Sequence, residues 1–547
     1  MPIRPIARPV LAVVVTAALL WLAVRFFVPT EGPSTERPSP DLPILTAEAP
    51  SPCRVSPAVI DDVSLLNPAE VAVVCPIKGG DDWSKAEEQI RAALSFAADH
   101  DLTVSIAAQR HSQGGHVNQP GGLLLDLREY RGVELTKEHR SNRTVRVLSG
   151  TPWADVQEAA NGDGLQPGTY GTRFAQRESE PDLYVPSSLS VKVQQSSNIF
   201  SVGGSLSVNC HGRDKDFGAI ISTVRSFRIM LADGRVVTAD RSAAEGSEER
   251  RLFRAAIGGF GLFGVILDVE LELQDNLMVE KHTTLLTYTD YVEVLARDIL
   301  PDPQVALHFG RLNIDELNRD NYLREMYVVD YRATGRIEGK LPLSTEEGSR
   351  LVGTFMELGE WSELAKKLRW EGLLTGVDVP GRVELTTLNN AMRPPVQFLL
   401  KRQGIRKVNI LQEYFIPPEG FESFVDGLRA TALSDGIDLQ NVTTRFVAGS
   451  DQALLSYAPD DRIAVVLYIS LWLTEAGIKE AGDWTRELVD KAQALDGSYY
   501  LAYQRWPTQE QLRESYPNFD KFLSEKAHFD PAGRFSNQFY SHYAAQE

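Results

Sequence analysis

Two histidines five residues apart, His111 and His116, sit in the stretch AAQRHSQGGHVNQPGGLLLDL beside the pairs Gly114-Gly115 and Gly121-Gly122. Imidazoles this close could ligate a metal, yet the spacing matches no zinc signature and no cysteine or carboxylate cluster accompanies them, so no metal site is expected. Glycines free the backbone to turn N–H groups toward an anion, which makes the loop a candidate cradle for a phosphate-bearing ligand. SVGGSLSVNCHG, residues 201–212, repeats that texture around His211. Two such stretches, each with a histidine, suggest opposite walls of one extended ligand. A third pattern, Gly259-Phe-Gly261-Leu-Phe-Gly264, fits the G-x-G-x-x-G spacing. A dinucleotide fingerprint needs a strand before it and a helix after; here the order is reversed, and the glycines read as a turn that lets helix and strand approach closely.

The elements that must hold these loops alternate between helix and strand. In WSKAEEQIRAALSFAADHDLTVSIAA, Ser84 with Glu87 predicts a capping-box start, and Ile90, Leu94 and Ala97 mark one helical face. The helix breaks at Asp99 to Asp101, and the strand that follows opens into the histidine loop. TVRSFRIMLADGRVVTAD, with Asp233-Gly234 between apolar runs, predicts a hairpin. ERRLFRAAIGGFGLFGVILDVELEL reads as helix, turn and strand. Beyond about residue 276 the texture shifts to long amphipathic stretches and aromatic-rich strands such as RIAVVLYISLWL, which suggests a second domain.

A chain of 547 residues has the length of two or three domains. Its net charge of −18 and the lack of a long Lys/Arg block argue against a nucleic-acid partner. Arg4 and Arg8 precede VLAVVVTAALLWLAV, Val10–Val24, and the apolar run continues to Val28. That is about the length of a short membrane span, roughly 17 to 25 residues. The nearest small-x-small site, Ala47-Glu-Ala49, lies far beyond the run and is followed by Pro50, so an uncleaved anchor is expected. Positive charge before the run, with Glu31 and Glu36 after it, places the globular part outside the cytoplasm, periplasmic or at the cell surface. After a Pro/Ser-rich linker, Cys53 and Cys75 either stay free or close a loop worth roughly 3 kcal/mol in an oxidising compartment.

From about Val71 to Leu273 the chain resembles the FAD-binding domain of the vanillyl-alcohol oxidase and p-cresol methylhydroxylase family. The resemblance rests on an ordered series: the helix and strand leading to Gln109-Arg110-His111-Ser112, then LLLDLREYRGV, VRVLSGTPWADV, NIFSVGGSLSVNCHGRDKDFG, RSFRIMLADGRVV and FRAAIGGFGLFGVILDVELEL. FDPAGRFSNQFY, Phe529–Tyr540, with Asn537, resembles the family's closing segment, which returns to the flavin. The resemblance implies an α+β fold. An anchor (1–28) and linker (29–59) would precede a two-subdomain FAD-binding domain (60–276), a mixed sheet-and-helix substrate cap (277–515) and a closing segment (516–547). It implies FAD bonded covalently through His111 to the 8α methyl carbon. Gln109, Arg110, Ser112, Gln113, Gly114, Gly115 and His116 would line the diphosphate and ring, with the backbone of Val202, Gly203, Gly204 and Ser205 and the side chain of Asn209. His211 and Gly212 would lie near the ring, and Gly264, Val265 and Ile266 at the adenine end. SSNIFSVGG holds no cysteine, so a second attachment is not expected.

The second half resembles the substrate domains of aldonolactone and alditol oxidases and of the oxidase acting on decaprenylphosphoryl ribose. Glu413 in LQEYFIPPEGFESF and Arg445 in TTRFVAGSDQALLSY fall on their substrate residues. The chain departs from the pattern where those relatives carry a histidine or lysine ahead of the closing Tyr-Pro: counted back from Tyr516-Pro517, these positions fall on Tyr500 and Tyr503. The cationic role then passes to Arg505. The resemblance implies an FAD-dependent oxidase or dehydrogenase that takes a hydride from the CH–OH group of a small hydroxylated substrate to flavin N5, with Tyr503, Glu413 or Tyr500 taking the hydroxyl proton. Electrons would go to oxygen or to a respiratory carrier such as quinone or cytochrome. Rival readings are a reductase that shares the FAD domain but needs a nicotinamide donor, and a noncatalytic binding protein.

Overall fold

Burial on both faces marks the central strand of the first sheet, where Leu123, Leu124 and Leu125 are all fully buried, as expected for parallel strands covered on both sides. The computed structural model describes residues 48–80, 82–162, 188–334, 343–344, 359–360, 362–371, 381, 383–393 and 406–544. The expected anchor and most of the linker lie outside these residues. Among the described residues no helix is long and apolar enough to cross a membrane.

The first sheet has the order β1 (Arg54–Ile60), β2 (Ala69–Lys78), β4 (Leu123–Glu129), β3 (Val104–Ala107). β2, β4 and β3 run parallel, and β1 lies antiparallel on the edge. All of β1 but its last residue falls inside the stretch expected as linker, 29–59. Its Pro57 suits an edge strand, where a missing N–H need cost no ladder bond, so composition alone hid the strand. A disulfide joins Cys53 to Cys75 across the start of this pair, at a separation of 22 residues, and on the chain-entropy model stabilises the fold by about 3 kcal/mol.

Between β2 and β3 runs the helix Trp83–Asp99, burying Ile90, Leu94 and Ala97 as its periodicity predicts. The predicted capping box does not form. Asp82 takes the cap, accepting from the Ser84 N–H at 3.1 Å, while Glu87 reaches across to Arg228 at 2.5 Å. A carboxylate just upstream displaces the serine hydroxyl, which is itself bound to Asp82.

The second sheet follows the path β5 (Val133–Glu134), β6 (Thr144–Leu148), β10 (Val265–Asp275), β8 (Val224–Met230), β9 (Val236–Asp240), with β7 (Leu189–Val191) pairing with β10 off that path. β8 and β9 form the predicted hairpin, turned at Gly234 with φ 81°. The helix Glu248–Ala256 precedes β10, so the glycine turn between them runs in the order read from the sequence. At its last position, Gly264, φ is 150° and a Cβ would come within 2.6 Å of the Met230 carbonyl.

A third, eight-stranded antiparallel sheet takes up residues 278–499. Its order is β14 (Glu384–Thr387), β11 (Met278–Thr287), β13 (Glu325–Ala333), β12 (Val305–Leu312), β16 (Asp438–Val447), β17 (Arg462–Trp472), β15 (Lys407–Ile416), β18 (Ser498–Tyr499). Strand alternation decides what this sheet offers on each face. Gln412 donates to Thr485 of the helix Glu475–Gln493 on one face, so its neighbours Leu411 and Glu413 point to the other. The chain then returns to the first sheet: Phe535 bridges Val104 in parallel, with Val104 N–H bonded to the Arg534 carbonyl at 2.7 Å and Ser536 N–H to the Val104 carbonyl at 3.0 Å.

Candidate functional site

The loop after β3 and the start of the short helix Val202–Ser207 face each other across an elongated cleft of about 1080 Å3, its open mouth included. Gln109, Arg110, His111, Ser112 and His116 form one wall, and Gly203, Gly204, Ser201 and Phe200 the other. Gly203 allows the close approach: a Cβ there would lie 2.6 Å from Ser149 Cβ and 2.9 Å from its carbonyl oxygen. Ser201 caps the helix by accepting from the Gly204 N–H at 3.3 Å. Arg110 turns the opposite wall, with φ 58° and its guanidinium 3.2 Å from Asp126, which Arg128 also holds at 2.5 Å.

The two histidines have different surroundings. His111 sets its ring edge-on to Phe200 at 5.0 Å, and burial pulls its pKa down to about 4, so the imidazole is neutral and nucleophilic at physiological pH. His116 lies between the rings of Phe260 and Phe539, 4.9 Å from each. Burial, then the Arg505 charge, push it to about 3.

Behind the side of the cleft formed by Leu411, Tyr500, Ala502 and Tyr503 runs a buried polar chain, centred on Glu413 of the third sheet. Tyr503 donates to Glu413 Oε2 at 3.4 Å, and Glu413 Oε1 lies 2.6 Å from His211 Nε2. Burial opposes the Glu413 charge, but His211, Arg445 and Tyr503 outweigh it and hold the carboxyl below its ordinary range. Burial, with Glu413 behind it, raises the Tyr503 phenol well above its ordinary value. The Tyr500 hydroxyl donates to the Val208 carbonyl at 2.8 Å, and the residue lines the cleft beside Tyr503.

Arg505, expected as the replacement cation, is turned away from this group. Its guanidinium bonds Gln538 O at 2.9 Å, Gln538 Oε1 at 3.0 Å and Asn67 Oδ1 at 2.9 Å. Arg445 is the cation that acts on Glu413 and Tyr503.

Of the expected contacts, Gly264 and Ile266 also line the cleft, whereas Val265, one residue along β10, turns into the core of the first sheet. Val202, Ser205, Asn209, Gly212, Gln113, Gly114, Gly115 and Asn537 stand behind the lining. Ser205 receives the Trp153 indole N–H at 2.9 Å, Asn209 accepts from Ile221 N–H at 3.3 Å, Gln113 accepts from Leu411 N–H at 2.8 Å, and Asn537 donates to the Phe260 carbonyl at 2.9 Å. These residues shape the walls without facing the cleft. Sequence reasoning missed Ser149, Gln195, Phe200, Phe260 and Leu411. Ser149 carried a signal, the Ser-Gly pair ending strand β6; Leu411 carried one too, two residues before Glu413 on the same strand face.

Lining residues Ser149 and Arg110 present polar atoms to the cleft. Ser149 Oγ and Arg110 Nε are buried and have no hydrogen-bond partner among the described residues. A hydroxyl and a guanidinium facing a glycine-floored cleft fit the diphosphate and ring edge of FAD. Among the described residues no group of three or more metal-ligating side chains gathers.

The FAD binding domain family matches residues 83–176. With the fold and the cleft, this defines the class: the chain carries an FAD-binding domain and is an FAD-dependent oxidoreductase. It is 22% identical over 476 residues to decaprenylphosphoryl-beta-D-ribose oxidase of Mycolicibacterium smegmatis, covering 83% of this chain and 92% of that protein. It is also 26% identical over 187 residues to an uncharacterized oxidoreductase of the fasciation locus of Rhodococcoides fascians, covering 34% of this chain and 35% of that one.

Proposed function

We propose that the protein oxidises the CH–OH group of a sugar, polyol or aldonolactone-like molecule, using FAD attached through His111. The observation that carries this reading is one cleft bounded by the neutral His111 imidazole and, elsewhere on its wall, by Tyr503, which is bonded behind the wall to Glu413 and through it to His211. Bound FAD supplies the hydride-accepting chemistry. Ser149, Arg110, Gly203 and Gly204 would hold it, and His111 would fix it to the loop.

The chain's own part is placement and proton transfer. Because the Tyr503 phenol is held protonated, it accepts the substrate proton only as its own proton passes to Glu413. Glu413 is kept ionised by His211 and Arg445, so its carboxylate accepts the Tyr503 hydrogen bond through which that proton would pass. The likeness to a ribose oxidase supports a hydroxylated sugar as the substrate class. The Cys53–Cys75 disulfide supports an oxidising compartment, in keeping with a chain anchored by residues 1–28 and facing out of the cytoplasm. Reduced flavin would be reoxidised by oxygen or by a respiratory carrier, and the membrane tether favours the carrier.

The test is bleaching of the flavin absorbance under argon by a panel of polyols, aldonolactones and sugars. At least one should bleach it, and Tyr503→Phe should slow that step about 10²- to 10⁴-fold, the usual contribution of a positioned proton-transfer group. Failure of every compound to bleach the wild-type flavin would overturn the substrate reading, and an unchanged rate in Tyr503→Phe would remove the relay.

A further inference from the structure

We infer that the segment from Asp61 to Asn67, stapled by the Cys53–Cys75 disulfide that spans it in sequence, is a clamp whose residues Asp62 and Asn67 position the histidine loop from its outer edge. Asn67 lies at the centre. Its side-chain N–H groups donate to Asp62 Oδ2 and to the Gln113 carbonyl, each at 2.9 Å, and its Oδ1 accepts from Arg505 at 2.9 Å. Its backbone carbonyl accepts from Asn118 at 3.0 Å and from Gln538 at 2.9 Å. Asp62 in turn accepts from the Gly115 N–H at 3.1 Å. Gln113, Gly115 and Asn118 are thus held from behind, while His111, Ser112 and His116 of the same loop line the cleft. The clamp also ties in the Gln504–Arg505 turn and the returning C-terminal segment at Gln538.

Little burial keeps the clamp in place on its N-terminal side. Most of β1 is exposed, Val59 to 71%, and Ile60 is its only buried residue. An edge strand with so little apolar burial is a low-stability element, and the covalent link between Cys53 and Cys75 supplies what packing does not. The disulfide therefore acts on the loop at a distance, through Asp62 and Asn67.

The link to flavin rests on reading His111 as the attachment residue; the clamp itself does not. Amide hydrogen exchange on the full-length holoprotein separates the two. Compare wild type, Cys53→Ser/Cys75→Ser and Asn67→Ala, following peptides over 109–118 and, as an internal reference, over 462–472 of β17. The clamp predicts that both variants raise exchange in 109–118 by about tenfold or more and leave 462–472 unchanged. Unchanged exchange in 109–118, or an equal rise in both regions, would overturn it; should the double cysteine variant fail to fold, Asn67→Ala decides alone. In the same samples, the acid-precipitable flavin fraction is expected to fall in both variants. A wild type with no acid-precipitable flavin would remove the attachment reading while leaving the exchange comparison intact.

Discussion

A phenol stands where relatives that the second half resembles place a lysine, and the structure explains how the site keeps a cation regardless. Arg445 acts on Glu413 and Tyr503 from β16, whereas Arg505, nearer in sequence, is spent on Asn67 and Gln538. Charge near the chemistry is thus supplied across strands, which counting along the chain does not reveal. His116 yields a pH prediction at this scale. Its pKa falls from 6.5 in the open chain to about 3 in the fold, so the unfolded chain binds a proton that the folded one refuses. Its contribution is complete above pH 6.5 and is lost as pH falls from there toward 3, at up to about 1.4 kcal/mol per pH unit. His116→Phe keeps an aromatic ring between Phe260 and Phe539. Chemical denaturation across that window should then show an acid-side slope smaller by about one proton; an unchanged slope would mean that His116 is not held neutral.

At the scale of elements, much of the site was legible because it depends on residue types with special geometry. Glycines at 203 and 204, the Arg-His-Ser turn and the Asp-Gly hairpin announce themselves, and each lies where the residues imply. Other parts were not legible. Ser149, Phe200 and Leu411 are ordinary residues whose roles come from strand alternation and from which segment packs opposite. Pro57 disguised a strand as linker, and Asp82 displaced a capping serine by lying two residues ahead of it. Asn209 and Ser205 have polar side chains in a glycine-rich segment, yet turn inward to bond the backbone and an indole. Gly203→Ala tests the element-scale account. The added methyl meets backbone, so we expect a loss of about 1 to 3 kcal/mol in thermal or denaturant stability together with reduced flavin loading. Full loading at wild-type stability would show that the helix start is not held against Ser149.

For the molecule as a whole, three sheets divide the labour. The first and second carry the glycine-rich walls, the third presents Leu411 and Glu413, and the C-terminal segment closes the set by pairing with β3 at the foot of the histidine loop. The globular part as a whole is proposed to lie outside the cytoplasm. Protease added to intact cells or spheroplasts should digest the globular part, and protection until lysis would contradict that placement. The proposed attachment of flavin would equally depend on the assembled cleft, since His111, Phe200 and Ser149 come from three separate segments. The most direct measurement is acid precipitation of purified wild type and His111→Ala, followed by flavin absorbance of pellet and supernatant. Wild type should give a yellow pellet and His111→Ala a yellow supernatant; wild-type flavin entirely in the supernatant would contradict the covalent bond, and no flavin in either fraction would contradict the flavin site itself.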